Sequence, residues 1–150
     1  MIKRAYGNVF TRLLSGGVTL SSLEQAVLAK LIGALPPELQ EPLLAQLDGC
    51  NLVQRESDGR ALNFYKKQGG RVTRAHLPDL PVKTGEVLLL KMAFAVLGQG
   101  HPFHATMTAI DKQFFCLSFS HDLRPLQKAN EITVQKITQS WRSSITVGCT

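Results

Sequence analysis

The apolar periodicity of this chain changes near residue 50, and that change limits the folds open to it. Before residue 50 the apolar residues recur with helical spacing, whereas after it short apolar runs alternate with glycine- and proline-containing turns. Helices followed by strands, with no helix between the strands, indicate an α+β domain rather than a doubly wound parallel sheet. The sequence therefore predicts about three N-terminal helices packed on one face of a C-terminal, mostly antiparallel meander sheet.

We expect residues 1–150 to form a single α+β domain, with a helical part at 1–48 and a sheet part at 50–142. A chain of 150 residues can bury a core without help from disulfides or a metal. Its three cysteines are odd in number and widely spaced, which favours reduced thiols. Residues 1–14 lack the apolar h-region of a signal peptide and no apolar run is long enough to cross a bilayer, so we expect neither a signal peptide nor a membrane span. We therefore expect a cytoplasmic protein with no membrane partner.

Three segments of the first part predict helices. Residues 2–14 carry a full apolar stripe, and Ser21–Glu24 has the pattern of a capping box that opens the second helix. A pair of prolines ends that helix, and a third one follows up to Gly49. Because Pro42 lacks an amide hydrogen and crowds the preceding turn, we expect the third helix to be kinked or to begin only near residue 42.

Turn residues divide the second part of the chain into strands. Gly59 and the Gly69–Gly70 pair mark two successive hairpin turns, and a third strand is expected to follow the second turn. Val87–Leu97 fits either a buried helix or a central strand, and its neighbours favour the strand. Asp111–Lys112 reads as a two-residue hairpin turn, although Lys fits the usual glycine position poorly. Ile132–Trp141 fits a strand and a helix about equally.

The positive charge of the chain is concentrated after residue 50. The chain has 17 Lys and Arg against 11 Asp and Glu, a net charge of +6, while the first fifty residues are balanced. Six cations and one aromatic ring surround the first two hairpin turns and are the predicted partner-binding residues: Arg55, Arg60, Lys66, Lys67, Arg71, Arg74 and Tyr65. Such an edge is typical of a surface that binds an acidic partner, and it also protects a sheet edge from aggregation.

Histidines and a carboxylate are predicted at the open end of the hairpin that turns at Asp111–Lys112. With regular pairing, Cys116 faces Met107 and Asp122 faces His101, and His104 and His121 point to the same side of the sheet. The candidates for a zinc site or an acid–base pair are His101, His104, His121 and Asp122. Two His three apart on a strand point to opposite faces, and Asp122 can simply cap the chain. We therefore assign no cofactor.

The sequence contains none of the common nucleotide-binding, metalloprotease or serine hydrolase motifs. The leading hypothesis is a small, soluble, non-enzymatic binding or regulatory module that engages a protein partner, with an acidic surface favoured. A second hypothesis is a nucleic-acid-binding protein that uses residues 55–74, with Tyr65 as a stacking ring. A third is a small metal-dependent or histidine-based enzyme that uses His101, His104, His121 and Asp122.

Overall fold

A computed structural model describes residues 20–50, 52–73, 78–126, 128–129 and 131–139. Two helices come first in the described chain: α1 (Ser22–Ala34) and α2 (Pro37–Gly49). Seven strands follow: β1 (Leu52–Arg55), β2 (Ala61–Gln68), β3 (Arg71–Thr73), β4 (Glu86–Val96), β5 (Phe103–Ile110), β6 (Gln113–Phe119) and β7 (Ile132–Gln139). The α+β class is confirmed with two helices instead of about three, and the helix predicted over residues 2–14 lies outside the described residues.

All the strand pairs of the sheet are antiparallel, in the order β1-β2-β6-β5-β4-β7, and β3 pairs with the far end of β2. This order corrects the predicted meander, because β2 lies beside β6, and β7 returns to β4. Prolines provide the physical reason. Pro78 and Pro81 follow β3 and cannot donate hydrogen bonds to a ladder. The pairing with β2 therefore stops after the short β3, and the chain re-enters the sheet only at β4.

The two helices begin with different capping chemistry. The predicted capping box is present in α1, where the Glu24 amide donates to Ser21 Oγ at 3.1 Å and the Ser21 amide donates to Glu24 Oε1 at 2.8 Å. Of the two alternatives expected for Pro42, a kink or a start near residue 42, the late start is wrong, since α2 begins with Pro37 at its first position. A proline suits that position, and Pro42 inside the helix removes only one further intrahelical hydrogen bond.

One hydrophobic core joins both helices to one face of the sheet, which we call the inner face. The alternation is clearest in β5, where Phe103, Ala105, Met107 and Ala109 are buried. The residues between them are half-buried and define the outer face. The preference for a strand at Val87–Leu97 is confirmed by β4, which pairs on both sides, and residues 132–139 also form a strand.

A bulge interrupts the hairpin of β5 and β6. Ala109 pairs with Phe114 near the turn, but Thr108 pairs with Cys116, so residue 115 is the extra residue of β6. The predicted pairing of Cys116 with Met107 is therefore wrong. The side chain of Gln46 on α2 helps to fix the bulge, because its Oε1 accepts a hydrogen bond from the Phe114 amide at 2.7 Å. Every β6 side chain beyond the bulge consequently changes face relative to a regular ladder.

The predicted turn at Asp111–Lys112 is confirmed, with φ of 49° and 67° at its two residues. A side chain at Lys112 is strained at this angle, whereas glycine adopts it freely. We expect Lys112→Gly to raise the free energy of unfolding by about 0.5 kcal/mol, net of the entropy that glycine adds to the unfolded chain. Urea unfolding measures the change. The control is Lys83→Gly, at an exposed position without positive φ, which should not raise the free energy of unfolding. An equal increase in that variant would contradict the explanation by backbone strain at Lys112.

Candidate functional site

The second half of β2 and the whole of β3 form a two-stranded extension of the sheet, residues 66–73, which we call the ribbon. Lys66 pairs with Thr73, and the last pair before the turn joins Gln68 to Arg71. Gly69 and Gly70 close the ribbon with φ of 58° and 79°, values that glycine adopts without strain. The predicted second hairpin is therefore present and ends in a tight turn.

The ribbon combines positive charge with one exposed apolar side chain. Arg71 is exposed, and Val72 beside it keeps 52% of its surface accessible. Lys66 is half-buried close to the end of α2: burial raises the pKa of Cys50 to about 11, and the Lys66 ammonium opposes that rise. No Asp or Glu occurs between residues 59 and 78. The ribbon surface is therefore positive, while Arg74 lies outside the described residues.

Two of the six predicted cations lie beside carboxylates. Arg55 points to the helices and donates from Nε to Glu24 Oε2 at 2.9 Å. Arg60 is exposed next to Asp58, whose Oδ1 accepts a hydrogen bond from the Arg60 amide at 3.0 Å, and its positive charge helps to lower the pKa of Asp122. The structure thus places Arg55 and Arg60 near negative charge, apart from the ribbon.

Tyr65 lies at the base of the ribbon on the outer face. It is half-buried and lines a pocket of about 400 Å³ together with Gln54, Arg55, Glu56 and Asn63. The side-chain Nδ2 of Asn63 donates a hydrogen bond to Glu56 Oε1 at 2.7 Å, so the Glu56 carboxylate is held at this pocket. A carboxylate beside the ring repels phosphate, which makes the site a poor platform for a nucleic-acid base.

The structure brings together two of the three predicted histidines. The ring centroids of His101 and His121 are 4.7 Å apart, and both rings contact Phe103. His104 lies on the outer face, and its carbonyl oxygen accepts a hydrogen bond from the Ser120 amide at 2.9 Å. The expectation that His104 and His121 share one side is therefore wrong, because the bulge in β6 moves His121 to the side of Phe103.

Asp122 caps a turn and pairs with Arg124. Its Oδ1 accepts from the Arg124 amide at 2.9 Å, and its Oδ2 accepts from Arg124 Nη2 at 2.8 Å. The hydrogen bonds from Arg124 lower the pKa of the Asp122 carboxyl. In the described ranges, no group of three or more His, Cys, Asp or Glu side chains is arranged to hold a metal ion. The geometry at Asp122 is that of a local structural cap.

Cys116 lies half-buried on the outer face of the sheet. Burial, assisted by the negative charges of Glu56 and Glu86, raises the pKa of its thiol to about 11. Because the thiolate is the nucleophilic form, a thiol with this pKa is almost fully protonated and poorly reactive at neutral pH. Cys116 therefore does not have the chemistry of an activated nucleophile.

A shallow groove of about 690 Å³ runs between α1 and the adjoining ends of β4 and β7. Small side chains such as Ala26 and Ala29 line it, Leu97 at its border is 87% exposed, and Lys30 and Glu131 add one charge of each sign. Among the residues that the structure describes, its lining contains no histidine or cysteine. It therefore offers apolar surface rather than an acid–base pair.

One cluster on the outer face has no counterpart among the residues predicted from the sequence. Lys91 and Lys136 lie on neighbouring strands there, because β7 pairs with β4. The two lysines are far apart in the sequence, and the ambiguity between helix and strand after residue 131 concealed their proximity. Only an unambiguous assignment of β7 as a strand could have indicated that these two lysines lie close together.

Comparison of the chain with protein-family models, with curated proteins and with solved structures finds no match. Among the described residues, no helix has the length and apolar character required to cross a membrane.

Proposed function

We propose that this protein is a small, soluble, non-enzymatic binding module whose ribbon engages an acidic, extended segment of a partner protein. The main support is the exposure of two consecutive residues, Arg71 and Val72, on opposite faces of a hairpin that contains no acidic residue. We also propose a cytoplasmic location, in keeping with the free cysteines Cys50 and Cys116.

The two kinds of side chain on the ribbon have different roles in this proposal. Arg71 attracts a negatively charged segment, which mainly accelerates association and selects the partner. Val72 offers apolar surface, and removal of that surface from water against the partner favours binding. A peptide with alternating acidic and apolar side chains meets both requirements when it lies extended along the ribbon.

Nucleic acid is the alternative partner, and two contacts make it less favourable. Single-strand binders combine several cations along a groove with aromatic rings on which bases stack. Here Arg55 donates to Glu24, which takes its charge away from the ribbon. The ring of Tyr65 shares its pocket with the carboxylate of Glu56, which repels a phosphate backbone. The observations therefore favour a polypeptide.

The proposal is tested by fluorescence anisotropy with a labelled peptide of alternating Glu and Val residues. We expect saturable binding to the wild-type protein and an affinity about tenfold lower for Arg71→Glu, because the substitution replaces attraction by repulsion. Lys83→Glu is the matched control, since it makes the same charge change at an exposed position outside the ribbon. Its affinity should stay within about twofold of wild type.

A labelled single-stranded oligonucleotide provides the competing measurement. Tighter binding to the oligonucleotide than to the peptide, with a steep loss of affinity as salt increases, would contradict the proposal and support a nucleic-acid partner. Absence of binding to the peptide at low salt would also contradict it.

A further inference from the structure

Three strands place His104, Ala93 and Lys136 side by side on the outer face. Ala93 on β4 is paired with His104 on β5 and with Lys136 on β7. Directly opposite residues on one face of a sheet have Cβ atoms about 4.5–5.5 Å apart. Two long side chains therefore flank a single methyl group, which leaves a depression in the surface.

Lys91 and Thr138 complete this depression. They are paired with each other one row away, and the resulting pocket of about 180 Å³ is lined by Lys91, Ala93, His104, Lys136 and Thr138. Its polar groups comprise two ammonium groups, one hydroxyl and one imidazole, all of which can donate hydrogen bonds. Residues 87–110 and 132–139, which include all of these groups, contain no Asp or Glu. The pocket therefore presents donors and positive charge.

We propose that this pocket, which we call the anion pocket, binds the phosphate group of a small phosphomonoester. A phosphate dianion matches the charge of the two lysines, and its three terminal oxygens accept hydrogen bonds from several directions. The volume decides how much of the ligand enters. Pockets that enclose a whole drug-sized ligand measure about 300–1,000 Å³, so a pocket of 180 Å³ accepts the phosphate group and leaves the remainder over the sheet.

The anion pocket is independent of the ribbon. Its residues lie on β5, β4 and β7, whereas the ribbon extends from β2, and β6 lies between β2 and β5. The anion pocket and the ribbon therefore share no residue, so a result that disproves binding at one of them leaves the other untouched.

Isothermal titration calorimetry with phenyl phosphate tests the anion pocket. We expect saturable binding to the wild-type protein, weakened at least about fivefold in Lys136→Gln, which removes one charge from an exposed side chain. In Ala93→Val the charges remain but added methyl groups fill the depression, so binding should be lost. Lys83→Gln removes an exposed lysine elsewhere and should leave the affinity within about twofold of wild type.

Three results would overturn this proposal. The first is the absence of saturable binding of phenyl phosphate, and the second is wild-type affinity in Lys136→Gln or in a folded Ala93→Val. The third is equally tight binding of benzoate or of a dinucleotide phosphodiester without a terminal phosphate, since neither carries a phosphate dianion. Thermal unfolding shows whether each variant is folded. If Ala93→Val does not fold, the exposed Lys136→Gln still decides the outcome.

Discussion

Glu24→Ala is expected to lower the free energy of unfolding by about 3 kcal/mol, because one buried carboxylate serves two structural purposes. Glu24 is 2% exposed, and it accepts hydrogen bonds from the Ser21 amide and from the Arg55 guanidinium. The substitution removes the capping box of α1 and also the carboxylate to which Arg55 donates. Urea unfolding followed by circular dichroism measures the loss.

The exposed ion pair between Asp122 and Arg124 provides a matched control for that measurement. The side chain of Arg124 is 50% exposed, and solvent screening keeps ion pairs of this kind weak. We therefore expect Arg124→Ala to destabilise the protein much less than Glu24→Ala does. Equal losses in the two variants would contradict a special role for the buried pair.

Gln46→Ala should destabilise the protein by about 3 kcal/mol, because it removes three hydrogen bonds and takes from the buried Phe114 amide the acceptor that Gln46 supplies. Gln46 is 1% exposed, and its Nε2 donates to the carbonyl oxygens of Pro78 and Lys112 while its Oε1 accepts from the Phe114 amide. The Phe114 amide adjoins the bulge in β6, so we also expect faster hydrogen exchange of amides in the β5–β6 hairpin.

Gln40→Ala is the control for Gln46→Ala. Gln40 is also buried, but its side-chain Nε2 donates one hydrogen bond, at 2.9 Å, to the carbonyl oxygen of Ile32. Its replacement should cost about 1 kcal/mol and leave the exchange rates of the hairpin unchanged. A loss as large as that in Gln46→Ala, or unchanged exchange in the Gln46 variant, would contradict the role assigned to Gln46.

Features that depend on neighbours in the chain could be predicted from the sequence. The capping box at Ser21–Glu24 is one example, because both of its hydrogen bonds join residues three positions apart. The turns at Gly69–Gly70 and Asp111–Lys112 are others, since their conformation is a property of two residues. The strand at Val87–Leu97 could be predicted because its neighbours are strand-like and a cluster of turn residues follows it.

Features that depend on distant residues could not be predicted in this way. The bulge in β6 forms where Gln46 on α2 accepts a hydrogen bond from Phe114, and no local pattern indicates it. It alone separates His104 from His121, which regular pairing had placed on one side. Arg55 likewise belongs to the predicted basic surface by sequence position, but its partner Glu24 lies on α1.

The candidate sites show the same division. The ribbon could be predicted, because its strands, turn and cations are consecutive in the sequence. The anion pocket could not, because Lys91 and Lys136 become neighbours only when β7 returns to pair with β4. A crossing connection of this kind is decided by packing of the whole sheet, which a single sequence does not reveal.

The most direct test of the proposed function is an NMR titration of the ¹⁵N-labelled protein with the peptide of alternating Glu and Val residues. We expect the amide shifts that change with peptide concentration to be concentrated in residues 66–73, the ribbon, and to be small in β4 and β7. Shift changes centred on any other surface, or no change on addition of excess peptide at low salt, would contradict the proposal that the ribbon binds an acidic partner.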